Sequence, residues 1–168
     1  MKTKTLTTIS LGIALYVVLS YLIPIRVIGN YFLCLGYVIL VVYPYIYGKF
    51  AGLAVGFFGT LLYCILASSY NGMVGWVLGN AFIGFVLGMV FDKTKKMSNP
   101  LKAVIDIAAM AISCAIGIIL IKSLTETILF RVPILVRLSA NSVPFVMDLI
   151  VMVVAYPVAI LFDKRARR

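Results

Sequence analysis

Apolar residues fill the chain in long runs, separated by short groups of proline, glycine, asparagine and charged residues. A helix needs about 20 apolar residues to cross the hydrocarbon core of a bilayer, and breaks between runs mark the ends of such helices. We therefore expect an all-α fold, a compact six-transmembrane-helix bundle that forms a single membrane domain over 1–168. The predicted spans are 6–24, 31–48, 50–68, 72–91, 103–122 and 142–162.

Two connections between these helices are longer than tight turns. The first has the sequence PIRVIGN, over 24–30, and the second has SLTETILFRVPILVRLSAN, over 123–141. The second is too interrupted by charge to span, so we expect its apolar parts to lie on or dip into the membrane surface. The first apolar run lacks a small-x-small cleavage site and further spans follow at once, so we expect a retained helix and not a signal peptide.

Composition leaves no room for a separate soluble domain. Hydrophobic residues make up 64% of the chain and charged residues 12%, whereas soluble domains are about half apolar and about a quarter charged. The net charge of +10 could suggest nucleic acid, but the basic residues stand almost entirely at the ends of apolar runs. Membrane topology explains that placement better, so we expect no nucleic-acid partner.

The basic residues are divided unequally between the two faces of the predicted bundle. Six spans put both termini on one side, and the opposite side holds four basic residues, Arg26, Lys122, Arg131 and Arg137. Because loops rich in lysine and arginine stay in the cytoplasm, we expect both termini to be cytoplasmic. The side of the termini holds Lys2, Lys4, Lys49, Lys93, Lys95, Lys96, Lys102, Lys164, Arg165, Arg167 and Arg168.

Residues for catalysis or metal binding are scarce. The chain has no histidine and five acidic residues. Its cysteines, Cys34, Cys64 and Cys114, fall in different apolar segments without metal-ligand spacing. The sequence has no HExxH, GxSxG, P-loop or CxxC motif and no paired carboxylates. We therefore expect no enzymatic activity, no metal and no cofactor in this chain.

Polar and aromatic side chains gather at one depth of the predicted bundle. At about 1.5 Å per residue, Asn80 lies roughly 12 Å below the outer start of the fourth helix, and Asp148 roughly 9 Å below that of the sixth. Trp76 stands one turn above Asn80. Asn141 and Phe145, seven and three residues before Asp148, lie on the same helix face as Asp148. Tyr37 in the second helix and Tyr63 in the third should fall in a similar layer.

This layer has two interpretations. An unpaired amide or carboxyl in hydrocarbon is costly, so such groups should face the bundle interior or a wet cavity. One interpretation is a ligand pocket open to the outside, with aromatic walls and a few hydrogen-bonding groups. In the other, Asn80 and Asp148 only bridge neighbouring helices, and the aromatic residues only pack.

Charged residues near the helix ends also have alternative roles. Lys122, Arg131 and Arg137 rim the predicted mouth, where they could attract an anionic solute or be solvated loop charge. Asp106 lies near the cytoplasmic start of the fifth helix, and we expect it to face headgroup water or Lys102, one turn earlier.

Small residues at intervals of four predict close packing between helices. Such faces let backbones approach each other in a membrane, where no hydrophobic effect drives association. The first helix carries one at Ser10 and Ala14. The others are Gly48, Gly52 and Gly56, then Gly75 and Gly79, then Gly84 and Gly88.

Four stretches together resemble a known family. They are TLTTISLGIALYVVLSYLIPI with Pro24 at its outer end, IGNYFLCLGYVILVVYPYIYGKFAGLAVGFFGTL, WVLGNAFIGFVLGMVFDK and NSVPFVMDLIVMVVAYPVAILF. The chain resembles the substrate-binding S components of energy-coupling factor (ECF) vitamin transporters over nearly its whole length. The likeness is a pattern of spans and small residues, and no single motif in it is diagnostic.

The resemblance implies a function and partners. Such proteins sit in the bacterial cell membrane and capture a water-soluble vitamin from outside with high affinity. They dock on a transmembrane coupling subunit that carries two cytoplasmic ATPases, and ATP is used by those partners. Docking uses an AxxxA motif in the first helix, and the matching positions here are Ser10 and Ala14. The ligand is gated by the first outer loop, here 25–31 with Asn30, and contacted by the outer parts of helices four to six.

The sequence leaves open which vitamin is bound, and it leaves two alternative functions open. The aromatic layer suits a flat heterocycle and the basic rim suits a carboxylate or phosphate, so pantothenate, riboflavin, a pyrimidine precursor and cobalamin all remain possible. A structural membrane scaffold is one alternative. A stand-alone secondary transporter is another, although the chain has few buried ionisable groups and no detectable inverted repeats. The predicted binding residues are Asn30, Tyr37, Tyr63, Trp76, Asn80, Lys122, Arg131, Arg137, Asn141 and Asp148.

Overall fold

A computed structural model describes residues 3–22, 25–28, 31–67, 73–97 and 99–166 of the chain. Within these ranges the chain forms six helices and one two-stranded hairpin. Two of the helices, α3 and α5, contain a π-helical segment, and we treat each as one continuous helix. The elements are α1 (Thr3–Leu22), β1 (Ile25–Ile28), β2 (Tyr31–Leu33), α2 (Gly36–Tyr47), α3 (Lys49–Ala54, Val55–Gly59 and Thr60–Leu66), α4 (Met73–Thr94), α5 (Asn99–Cys114, Ala115–Lys122 and Ser123–Phe130) and α6 (Ile134–Ala166).

Five of these helices are long and apolar enough to cross a membrane, namely α1, α3, α4, α5 and α6. The remaining helix, α2, has 12 residues, a length of about 18 Å at 1.5 Å per residue. It lies inside the bundle, where it packs on α1, α4 and α6 and is buried along most of its length. The predicted helical membrane bundle is thereby confirmed.

The hairpin corrects the predicted start of the second helix. We expected a helix from residue 31, but Tyr31–Leu33 pairs antiparallel with Ile25–Ile28 and α2 begins at Gly36. Both strands are rich in β-branched and aromatic residues, and the two residues between them in the sequence are Gly29 and Asn30. A Gly-Asn pair between two such runs is a hairpin signal. We missed it because the second run is apolar and continuous with α2, so we assigned it to a membrane-spanning helix.

The predicted surface connection over 123–141 is wrong. Helix α5 continues to Phe130 and α6 begins at Ile134. Arg131 turns the chain through the left-handed region, with φ 53°, and Pro133 disfavours a helical conformation at the preceding residue. The charges that suggested a surface loop are accommodated by pairing, because Arg137 Nη1 lies 3.8 Å from Glu126 Oε2.

Glycine lets α4 pack closely against both α3 and α5, as the spacing of small residues predicted. A Cβ at Gly84 would overlap the backbone of Gly52 in α3. A Cβ at Gly75 would lie 2.9 Å from the Lys122 carbonyl oxygen in α5. Close backbone packing of this kind is how helices associate in lipid. We call the end of the bundle where α3 and α5 end and α4 and α6 begin the Trp76 end, and the opposite end the Lys49 end.

At the Lys49 end, Asp106 lies in the core and not at the surface that we expected. Its carboxylate is fully buried and accepts hydrogen bonds of 2.6 Å from the Thr94 and Tyr156 hydroxyls. Lys102, the predicted partner, donates instead to the Tyr45 hydroxyl. The carboxylate therefore ties α4, α5 and α6 together.

Candidate functional site

A chain of side-chain hydrogen bonds crosses the bundle near its Trp76 end. Trp76 Nε1 donates to the Tyr37 hydroxyl at 3.1 Å, and that hydroxyl donates to Asn80 Oδ1 at 2.8 Å. Asn80 Nδ2 donates to the Tyr16 hydroxyl at 3.0 Å and to Thr60 Oγ1 at 2.8 Å. These five side chains belong to α1, α2, α3 and α4, so we call them the four-helix network.

The environment of Asn80 explains how an amide is tolerated in this position. The residue is fully buried, its oxygen accepts one hydrogen bond and its nitrogen makes two. A buried polar group without such partners would cost several kcal/mol. Asn80 therefore bridges helices in this structure, and through Tyr37 it fixes the orientation of Trp76. Its contact with a ligand stays a prediction.

Two members of the network, Tyr16 and Thr60, were not among the predicted site residues. Both are fully buried, and Thr60 Oγ1 also donates to the Tyr16 hydroxyl at 3.1 Å. Gly36 and Gly59 lack side chains where the Tyr16 ring packs. The sequence does carry a weak signal, since Tyr16 follows Gly12 by four residues on α1. The identity of its partners on three other helices could not be read from that spacing.

Trp76 is held by contacts on several sides. Tyr63 packs against it with ring centroids 5.5 Å apart and planes at 87°. Lys122 Nζ lies 5.7 Å from the centroid of the Trp76 ring, in a cation–π contact. Because Tyr37 accepts the indole N–H, the ring is oriented by three different side chains.

Asp148 brings α6 into the same region. It is 4% exposed, and its carboxyl interacts with the Tyr37 hydroxyl and with the charge of Lys122. The structure thus gathers Tyr37, Tyr63, Trp76, Asn80, Lys122 and Asp148 at the Trp76 end.

Asn141 belongs to a separate cluster nearer the start of α6. Its Nδ2 donates to Ser123 Oγ at 3.0 Å and to Glu126 Oε2 at 3.1 Å. Arg137 pairs with the same Glu126 and lies over the Phe130 ring, with Cζ 5.8 Å from its centroid. This α5–α6 cluster was missed because Glu126 was assigned to a surface connection.

The remaining predicted residues lie elsewhere. Arg131 is exposed where α5 ends. Ser10 and Ala14 are exposed on α1, as a docking face requires. Asn30, in the predicted gating loop, lies outside the described residues.

The described residues outline two cavities away from the four-helix network. A cavity of about 390 Å³ at the Lys49 end is lined by Thr5, Thr8, Ile9, Tyr47, Phe50 and Ala51. A wholly apolar cavity of about 200 Å³ lies between α6 and the segment from β2 to α2. The predicted binding pocket is at neither place. Residues 68–72, which connect α3 to α4, are outside the described part, so the pocket stays a prediction.

The bundle of apolar helices defines a polytopic membrane protein. The buried network of polar and aromatic side chains at one end of the bundle is its candidate solute site. A family model described as "ECF-type riboflavin transporter, S component" matches residues 1–163. Because the match covers nearly the whole chain, this protein belongs to the family of S components of ECF-type riboflavin transporters. The resemblance to ECF S components is thereby confirmed.

Proposed function

We propose that this chain binds riboflavin on the outside of a bacterial cell and delivers it through an ATP-driven coupling module. The observation that carries the proposal is the family match over residues 1–163. Riboflavin combines a flat three-ring heteroaromatic part with a chain of hydroxyl groups. Such a ligand needs aromatic surface and a few well-placed hydrogen-bonding groups. The Trp76 end of the bundle offers both.

Individual side chains suit different parts of this ligand. Trp76 and Tyr63 offer rings beside which a flat heterocycle can stack. Asp148 and Lys122 offer an acceptor and a donor for hydroxyl or carbonyl groups. Among the vitamins that the sequence left open, this combination favours riboflavin over pantothenate, which has no ring to stack. In this proposal Asn80 and Tyr37 hold Trp76 in its orientation.

We further propose six membrane spans with both termini in the cytoplasm. The inward position of α2 supports this count, because a helix shielded by α1, α4 and α6 does not need a full-length lipid-facing surface. The orientation is supported by the basic residues, eleven of which flank the side of the termini and four the other. Loops rich in lysine and arginine remain cytoplasmic. The Trp76 end would then face the outside.

The partners in this proposal are a transmembrane coupling subunit and two cytoplasmic ATPases. In α1, 17% of the residues of the apolar stretch Thr5–Leu22 are buried, against 50% of an 18-residue stretch of α4. Helix α1 therefore has the surface that a partner could cover. Ser10 and Ala14 are both exposed there, and small residues permit close helix approach. ATP would be used by the ATPases, and we assign no catalytic step to this chain.

Mass spectrometry of small molecules carried through purification tests this function. The protein is purified in detergent from cells supplied with a mixture of water-soluble vitamins, then denatured, and the released compounds are identified. We expect riboflavin in near-equimolar amount. A preparation that releases another vitamin would overturn the ligand, and one that releases none after saturation with riboflavin would favour a structural scaffold.

Transport assays separate an S component from a stand-alone transporter. In vesicles that contain this chain alone, we expect no riboflavin accumulation. Adding the coupling subunit and ATPases with ATP should start uptake. Accumulation by the chain alone would instead identify a secondary transporter.

A further inference from the structure

We propose that the cavity at the Lys49 end binds one anionic phospholipid, with the phosphate beside the Lys49 ammonium and an acyl chain against the apolar side of the cavity. The cavity lies between the start of α1 and the turn that joins α2 to α3, and we call it the α1–α3 cavity. Its lining residues are Thr5, Thr8, Ile9, Tyr47, Phe50 and Ala51. The proposed riboflavin site, at the Trp76 end, plays no part in this inference.

The α1–α3 cavity lies at the depth of lipid headgroups. Two apolar stretches that are long enough to cross a membrane begin beside it, Thr5–Leu22 in α1 and Lys49–Leu66 in α3. Tyr47 lines the cavity and is half exposed, and tyrosine is enriched where a bilayer meets water. A lipid in this cavity would therefore have its headgroup and the first part of its acyl chain at their usual depth.

The lining of the cavity suits a ligand that is polar at one end and apolar along its length. Thr5 and Thr8 bring hydroxyl groups, which can donate hydrogen bonds to phosphate oxygens. Ile9, Phe50 and Ala51 form an apolar surface, and the Phe50 ring is 70% exposed. The volume of about 390 Å³ falls within the range of roughly 300–1,000 Å³ that is usual for ligand sites. An acyl chain would cover the exposed ring.

A positive charge stands at the edge of the cavity. Lys49 Nζ lies 5.3 Å from the centroid of the Phe50 ring, and among the residues that the structure describes no ion pair within 4.0 Å involves Lys49. Asp92, whose carboxylate lies against Gly48, pairs with Lys95 at 3.8 Å. A lysine has a flexible four-carbon stem, so the Lys49 ammonium can follow a phosphate along the edge. Basic pockets between membrane helices bind anionic headgroups in this way.

Two other occupants fit the cavity less well. A soluble phosphate compound would pair with Lys49 but would leave the apolar surface at Ile9 and Phe50 uncovered. An apolar helix of a protein partner would cover that surface but would give the Lys49 ammonium no counter-charge. An anionic phospholipid satisfies both features at once.

Native mass spectrometry of the purified protein tests the headgroup. The protein is incubated in detergent with equal amounts of phosphatidylglycerol and phosphatidylcholine that carry the same acyl chains. We expect one phosphatidylglycerol per chain, retained in preference to phosphatidylcholine. Lys49→Gln should lower that preference about fivefold, the effect of one lysine near an anionic lipid surface. Lys93→Gln removes an exposed lysine at the same end of the bundle and should leave the preference unchanged.

Filling the cavity tests the contact with the acyl chain. Thr5→Trp places a bulky ring at the exposed edge of the cavity and should reduce the retention of both lipids. Leu11→Trp, at an exposed position of the same helix, should not. Ile9→Trp fills a second lining position with the same expectation and serves if Thr5→Trp does not fold, which thermal unfolding in detergent decides.

Three results would overturn the lipid site. The first is equal retention of the two lipids by the wild type, or the same preference in Lys49→Gln as in Lys93→Gln. The second is displacement of the lipid by excess glycerol phosphate, which would assign the cavity to a soluble phosphate compound. The third is a Thr5→Trp variant that keeps the lipid and no longer assembles with the coupling subunit, which would assign the cavity to that protein.

Discussion

The Tyr37 hydroxyl donates its proton to Asn80 Oδ1 at 2.8 Å. Because the same hydroxyl accepts the Trp76 indole N–H at 3.1 Å, the position of the half-buried Trp76 ring depends on the fully buried Asn80 amide, one helical turn away. If riboflavin binds at the Trp76 end as proposed, ligand affinity and helix packing are coupled there. A substitution in the network should change both.

Tyr37→Phe removes the oxygen that joins Trp76 to Asn80 and keeps the ring. The indole N–H and the Asn80 oxygen lose their partner, which costs about 1–3 kcal/mol when a buried group is left unmet. We expect weaker riboflavin binding by up to that amount and a shifted Trp76 emission maximum, both measured by fluorescence titration. Tyr21→Phe, on an exposed side chain, should change neither. Normal emission and affinity in Tyr37→Phe would mean that Trp76 is positioned by other contacts.

Asn80→Ala removes the centre of the four-helix network. It leaves the Tyr37, Tyr16 and Thr60 hydroxyls without this partner, so we expect a loss of about 1–3 kcal/mol in both unfolding free energy and riboflavin binding. Thr60→Ala combined with Asn80→Ala should cost less than the sum of the single variants, because the two residues share a hydrogen bond. Thermal unfolding in detergent and titration measure the two effects. Strict additivity would contradict the shared network.

Asp106→Ala tests the carboxylate at the Lys49 end. Two hydrogen bonds of 2.6 Å, from Thr94 and Tyr156, are lost and both hydroxyls remain buried, so we expect a destabilisation of roughly 3 kcal/mol. Riboflavin affinity in the folded fraction should be unchanged, since the proposed site is at the other end. Asp92→Ala is the matched control. Asp92 is about half exposed and pairs with Lys95 at 3.8 Å, and such surface pairs contribute roughly 0–1 kcal/mol. Equal effects of the two variants would show that Asp106 is not a structural tie.

Ala14→Trp tests the proposed docking face on α1. Ala14 is exposed, so a bulky side chain there should spare folding and riboflavin binding. It should block uptake by preventing close approach of the coupling subunit. Ile128→Trp, at a position on α5 that is 76% exposed, should leave uptake intact. Uptake that survives Ala14→Trp would move the docking surface elsewhere.

The helical membrane bundle could be predicted from the sequence because hydrophobic length alone reports a span. The pattern failed where apolar residues adopt another structure or where charges are paired. Ile25–Ile28 and Tyr31–Leu33 form a hairpin, and Glu126 and Arg137 lie on two helices that bring them together. A single sequence does not reveal which distant charge will neutralise another.

The candidate site was predictable in depth and not in detail. Counting residues from the helix ends put Trp76, Asn80 and Asp148 at one level, and the structure brings them near Tyr37. Tyr16 and Thr60 were missed because nothing in the sequence separates them from other tyrosines and threonines in helices. Their role depends on how four helices pack together. Asp106 was assigned to the surface because Lys102, one turn earlier, could pair with it there. In the structure Lys102 donates to the Tyr45 hydroxyl instead.

Equilibrium titration of the purified wild-type protein with riboflavin tests the central claim most directly. The quenching of flavin fluorescence should saturate at one molecule per chain and should be unaffected by excess pantothenate. The affinity should weaken when Trp76 is replaced by alanine. Titration without saturation, or with the same affinity in Trp76→Ala, would contradict a riboflavin site at the Trp76 end of this bundle.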